Sequence, residues 1–185
     1  MINGGYHMST IIEMKPLVGI VWGNKEINFN DSKLTVKATL GTPESVYENS
    51  YYYFYNELRI DFDKTDRVIF IEFLGGIESS TTPLIYGTKA FEVESEELYH
   101  VLEKENNGAI ENSENGYSFI FYNSCVGIYR EIRPEDVEEM IIEMRQNGID
   151  NLNNEDLEND RKRAMHWAAI GIGKKGYYKE DKRSH

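Results

Sequence analysis

A chain of 185 residues that is 40% hydrophobic and 12% aromatic can bury a sizeable core, which excludes a disordered polypeptide. A formal charge of −12 opposes nucleic-acid phosphates, excluding a nucleic-acid partner, and favours a basic protein partner; the single cysteine, Cys125, excludes an internal disulfide and fits a reducing, cytoplasmic setting. No apolar run is long enough to cross a bilayer and no charged-then-apolar leader opens the chain, so no membrane partner is expected.

Residues 1–15 are polar apart from Ile11 and Ile12, which predicts a loose start. Residues 17–22, LVGIVW, read as a first strand. Gly23-Asn24 supplies a turn, and Ile27 and Phe29 continue the alternation. Leu34, Val36 and Leu40 then mark a short amphipathic helix capped by Asp31 or Ser32. Gly41 provides its exit, and Pro43 stops it. The aromatic run 51–55 and the alternating run 58–62 predict two strands meeting at Asn56-Glu57. The polar DKTD of residues 63–66 turns the chain into a third strand over 68–73.

Alternation assigns Leu58, Ile60, Phe62, Ile69, Ile71 and Phe73 to one sheet face, which the helix should cover. It assigns Tyr51, Tyr53, Tyr55, Arg59, Asp61, Val68 and Phe70 to the other. A face so rich in rings needs a cover, either another part of the chain or a partner.

Residues 75–83 read as a loop, and 84–86 and 90–93 as short extended segments. Ser95 is expected to cap a helix bearing Leu98, Val101 and Leu102. A polar excursion over 105–116 leads to strands at 117–122 and 126–132. The tripeptide Phe54-Tyr55-Asn56 recurs as Phe121-Tyr122-Asn123, and the order helix, aromatic strand, turn, aliphatic strand recurs with it. Two readings stand, a duplicated unit spanning about 17–74 and 90–132, or coincidence in a tyrosine-rich chain.

Residues 134–147 predict a helix with Pro134 in its first position, Glu135 and Asp136 at its positive end, and a stripe of Val137, Met140, Ile141 and Met144. Gly148 closes it. Residues 150–160 read as a polar linker and 161–170 as a last helix packed through Met165, Trp167 and Ala168, with irregular chain from Gly171 onward. Residues 160–185 carry eight Lys or Arg against three Asp or Glu, a basic tail on an acidic body. The reading is therefore an α+β fold: an antiparallel sheet with helices packed on one face in a core of 1–150, with tandem units as the open question. A linker and a basic C-terminal helix and tail follow over 151–185.

Several patterns touch on chemistry. GIGKKG, residues 171–176, matches the glycine spacing of dinucleotide loops but lacks a strand before it and a helix after it in this reading, so a flexible turn is expected. Glu97 and His100 have the spacing of a metal-binding helix face without a second pair. Asp61, Asp63 and Asp66 read as a solvated strand edge. Asp150, Asn151, Asn153 and Glu155 fail the calcium-loop pattern, since Leu152 occupies the third position and the turn glycine is missing. Cys125 has no neighbouring activator in sequence. No cofactor, metal or reaction is expected. Tyr51, Tyr53, Tyr55 and Phe70 beside Asp61 and Glu72 form the candidate partner surface, with rings supplying contact area and carboxylates steering a cationic partner. The competing reading packs those rings internally or in a homodimer.

The segments GIVWGNKEINFNDSKLTVKATLGTP, YYYFYNELRIDFD and RVIFIEF together resemble the helix and three-strand unit of SmpA-type outer-membrane assembly proteins and, in tandem, of β-lactamase inhibitor proteins. Gly23, the helix exit Leu40-Gly41-x-Pro43, the aromatic strand and the Asp63 turn carry the likeness. The chain departs from both types, having neither a lipidated cysteine nor a disulfide pair. The resemblance implies a scaffold with helices behind one sheet and an open face that grips another protein. An acidic cytoplasmic protein of that kind is similar in character to bacterial immunity proteins that neutralise basic toxins. A non-catalytic, immunity-type inhibitor is the functional expectation.

Overall fold

In a computed structural model, residues 10–149 and 155–179 are described. Among them the chain begins with β1 (Thr10–Lys15), β2 (Gly19–Trp22) and β3 (Lys25–Asn28), followed by α1 (Lys33–Leu40). The strands β4 (Ser45–Tyr47), β5 (Ser50–Tyr53), β6 (Leu58–Phe62) and β7 (Val68–Leu74) come next, and β8 (Thr81–Ile85) and β9 (Thr88–Lys89) lead to α2 (Ser95–Asn106). The last part comprises β10 (Ile110–Glu111), β11 (Ser118–Phe121), β12 (Val126–Tyr129), α3 (Pro134–Gln146), α4 (Glu155–Ala164) and β13 (Ala169–Gly173). No helix among the described residues is long and apolar enough to cross a membrane.

The α+β class is as expected, but the strands divide into two sheets. The larger has the order β10-β11-β12-β13-β7-β6-β5-β4 and is antiparallel throughout. The smaller, β3-β2-β1-β8-β9, includes one parallel pair, β1 with β8. Residues 17–22 therefore do not join the helix and three-strand unit. Gly19–Trp22 lies in the smaller sheet beside Thr10–Lys15, a strand where the polar composition predicted loose chain. Strand β1 holds its place because Ile12 and Met14 alternate into the core.

Local chemistry explains the elements that matched expectation. Ser32 Oγ accepts the Thr35 amide at 3.1 Å, a cap that contributes about 1 kcal/mol to a helix start. Gly41, at φ +89°, ends α1. Only Val36 of α1 is fully buried; Leu34, expected in the apolar stripe, is exposed. Asp63 Oδ1 accepts from the amides of Thr65 and Arg67, which fixes the turn into β7. Pro134 opens α3 as expected, and the Asp136 carboxylate accepts the Arg133 amide at 2.7 Å.

The element order of the larger sheet repeats about its centre. One half is α1 followed by β4 to β7. The other is α2 followed by β10 to β12, then β13 after the α3–α4 excursion, and the halves meet at the antiparallel β7–β13 pair. Both β5–β6 and β11–β12 turn through four residues, yet Phe54 lies in its turn whereas Phe121 closes its strand, so the shared tripeptide sits one residue out of step.

The C-terminal part is not an appendage. Strand β13 occupies the centre of the larger sheet, where GIG of GIGKKG was expected to be an irregular turn. The preceding helix spans Glu155–Ala164 rather than 161–170, leaving Trp167 buried between helix and strand. A division at residue 150 thus separates chain that folds together. Residues 1–9, most of the calcium-like cluster at Asp150, Asn151 and Asn153, and the end of the basic tail lie outside the described residues.

One apolar cluster joins Ile12, Ile20 and Ile27 of the smaller sheet, Val36, Leu98 and Leu102 of the helices, and Ile60, Phe73, Ile170 and Ile172 of the larger sheet. Val137, Leu157 and Ala164 form a second, small cluster between α3 and α4.

Candidate functional site on the outer sheet face

The register of the larger sheet places each residue of the expected partner surface. Tyr53 pairs with Leu58 and Tyr51 with Ile60, because the connecting turn holds four residues. Paired residues share a face. The two tyrosines thus point to the helix-covered side with Ile60, Ile71 and Ile172, Tyr51 only 8% and Tyr53 only 3% exposed. This corrects the expectation for Tyr51 and Tyr53: the even-length turn puts odd-numbered tyrosines with even-numbered Leu58 and Ile60. Burial pushes the Tyr53 hydroxyl up to about 12, and the neighbouring Tyr51 adds to the shift. A register shift between Asp61 and Phe62 brings Val68 opposite Phe62, so Val68 also turns to the core, exchanging faces with Ile69.

Two rows remain on the outer face: Tyr52, Arg59, Glu72, Gly171 and Gly127, and beside it Ser50, Asp61, Phe70 and Gly173. Asp61 and Glu72 belong to this face as expected, but neither is free. Arg59 donates through Nε and Nη2 to both oxygens of Asp61 at 2.9 and 2.7 Å, and its Nη1 lies 2.9 Å from Glu72. Ser50 Oγ adds a 2.6 Å bond to Asp61. Burial raises the Glu72 carboxyl above its ordinary range despite Arg59. The Arg59 guanidinium also lies 5.4 Å from the Phe70 ring centre.

Phe70 is covered by the chain itself and is 4% exposed. After β13 the chain turns back, with the Lys174 amide bonded to Ile69 O and Lys174 paired to Asp63 at 3.6 Å. Tyr177 stacks on Phe70 at 4.6 Å with planes 8° apart, and Tyr178 meets Phe70 edge-on. Glycines make the room. A Cβ on Gly171 would lie 2.4 Å from the Phe70 ring, one on Gly173 2.6 Å from Tyr177, and one on Gly127 2.3 Å from the Tyr178 hydroxyl. The glycine spacing that resembled a phosphate loop therefore has a packing cause. Sequence alternation of Ile170 and Ile172 with Gly171 and Gly173 carried that signal for a strand bare on one side.

One open part of the outer face lies toward β4, away from Tyr129, which is also exposed. Tyr55 is 79% exposed in the turn after β5, where Phe54, Tyr55 and Asn56 all have positive φ, and Tyr47 on β4 is 68% exposed. Tyr52 is half-buried on this face, and Val46, which pairs with Tyr51 and so points to the opposite face, is exposed at the sheet margin. Strand β4 is a sheet edge, so alternate backbone amides and carbonyls face outward. Tyr47, Val46 and Tyr52 were missed because their exposure follows from the position of β4 in the sheet, which a three-residue run does not announce.

Other sequence candidates separate. His100 lies 3.5 Å from Glu103 on exposed α2 rather than acting with Glu97. Cys125 is buried in the β11–β12 turn with its Sγ 3.6 Å from Tyr122 O. No group of three or more His, Cys, Asp or Glu among the described residues is placed to hold a metal ion.

Glu57, which sequence reading passed over, ties the two sheets together. Its carboxylate accepts from Ser79 Oγ, from the Ser80 amide and hydroxyl and from the Thr81 amide, all at 2.9 to 3.0 Å. Burial opposes the charge, but these donors win and hold the carboxyl below its ordinary range.

No family model matches the chain, and neither a curated protein nor a solved structure matches it.

Proposed function

We propose that this chain is a non-catalytic protein-binding module acting in the cytoplasm, an immunity-type inhibitor of a basic toxin or enzyme domain. The observation that carries the reading is the uncovered strip at the β4 edge. Tyr47 and Tyr55 offer rings, Val46 offers apolar contact on the other face of the same edge strand, and free backbone groups of that strand can pair with a partner's strand. Glu44 and Glu48 flank β4 within a molecule of charge −12, which favours cationic flanks on whatever pairs there. An antiparallel pairing of two copies centred on Val46 would set Glu44 against Glu48, a like-charge contact that disfavours self-association.

The test is co-expression with the product of an adjacent gene, chosen for a basic C-terminal domain. The expected result is relief of that product's toxicity and a complex that weakens as salt rises. Tyr47→Ala and Tyr55→Ala should each cost about 1–2 kcal/mol of affinity. Absence of protection, or a stable dimer in light scattering that hides Tyr47, overturns the proposal.

A further inference from the structure

A second region carries an inference independent of the inhibitor reading. A cleft of about 350 Å³ opens beside the start of α2 and is lined by Tyr99, Phe119, Trp167, Arg130, Glu96 and His100, together with Ser95. Its walls are rings: Phe119 meets Tyr99 edge-on at 4.9 Å and Trp167 at 5.8 Å. Trp167 is fixed by a 2.8 Å bond from its indole nitrogen to Ser95 O.

Arg130 supplies the charge. Its guanidinium lies 4.2 Å over the Trp167 ring, Nε donates to Gly116 O at 3.0 Å, and Nη1 donates to Ser95 Oγ and Ala164 O at 3.3 Å. All three acceptors are neutral. Of the half-buried guanidinium groups among the described residues, Arg59, Arg133 and Arg161 each pair with a carboxylate and Arg130 does not. Nη2 has no hydrogen bond to a described residue, and among the described residues no buried side-chain nitrogen or oxygen lacks a partner, so Nη2 is not fully enclosed. The arginine is therefore held in position by two nitrogens and keeps the third for a ligand, in a place where burial disfavours its charge more than the nearby Glu135, Asp136 and Glu96 offset.

We infer that the cleft binds a small aromatic carboxylate, with its ring against Tyr99 and Phe119 above the buried Trp167 and one carboxylate oxygen on Arg130 Nη2. Rings select a planar apolar body, and guanidinium selects an oxyanion. Glu96 at the rim and the acidic surface beyond it select against a second negative charge, so a monoanion fits and a phosphate monoester does not.

The full ¹⁵N-labelled chain has two tryptophans, Trp22 and Trp167, and a Trp22→Phe variant assigns the indole signal of Trp167. Titration with sodium benzoate should shift that signal saturably, with a Kd of about millimolar or tighter. Benzamide, which lacks the charge, and acetate, which lacks the ring, should bind at least about tenfold more weakly. Arg130→Gln should abolish the benzoate shift, and Glu96→Gln should tighten benzoate about two- to fivefold by removing a like charge. If Arg130→Gln fails to fold, the Glu96→Gln comparison decides. No saturable shift, equal affinity for benzamide or acetate, or a Glu96→Gln variant no tighter than the parent overturns the inference.

Discussion

Replacing Glu57 by glutamine removes one charge from the tie between the two sheets without changing its size. The carboxylate accepts from Ser79, Ser80 and Thr81, and an amide turns two hydrogens toward donors that need an acceptor. Hydrogen bonds to a charged group contribute about 1.5–3 kcal/mol, and because Glu57 is half-buried and its bonds act together, the expected loss is about 2 kcal/mol in total. For a chain of this size that lowers Tm by about 4–8 °C. The loss should depend on pH in a defined direction. The folded-state pKa of Glu57 lies below its unfolded value, so the contribution is fully present above the unfolded value of about 4.3 and disappears as pH falls through the folded one. Urea denaturation of parent and variant at pH 7 and at pH 3 measures this. A difference of about 2 kcal/mol at pH 7 that shrinks at pH 3 is expected. Equal stability at pH 7, or a difference independent of pH, would refute the role given to the carboxylate.

Gly171→Val places atoms where Phe70 lies and should destabilise by about 1–3 kcal/mol, read as a lower urea midpoint with unchanged slope. Arg59→Met leaves Asp61 and Glu72 side by side without a cation on a half-buried face; the expected cost is about 1–3 kcal/mol at neutral pH, and it should diminish on acidification as Glu72, already raised by burial, protonates. Cys125 should react with a thiol reagent only at the rate of opening, so labelling that is fast in the native state and unaffected by stabilising conditions would contradict its burial.

The sequence by itself determined the elements whose signals are local. Ser32 with Gly41 bounded α1, the DKTD turn set β6 against β7, and Pro134 opened α3, because capping and turn chemistry act over a few residues. It also carried the acidic, aromatic character on which the functional reading rests. The tertiary structure alone decided the faces and the neighbours. The pairing of Tyr51 and Tyr53 with Ile60 and Leu58, and one register shift before Phe62, settled which rings were core and which were surface, since residues paired across strands share a face and a single step of register turns a side chain over. It also brought β13 from the far end of the chain to the centre of the larger sheet, where Tyr177 and Tyr178 cover Phe70 while the β4 margin stays open. Pairing between strands nearly a hundred residues apart is a balance of packing across the whole molecule, which no local run of residues encodes.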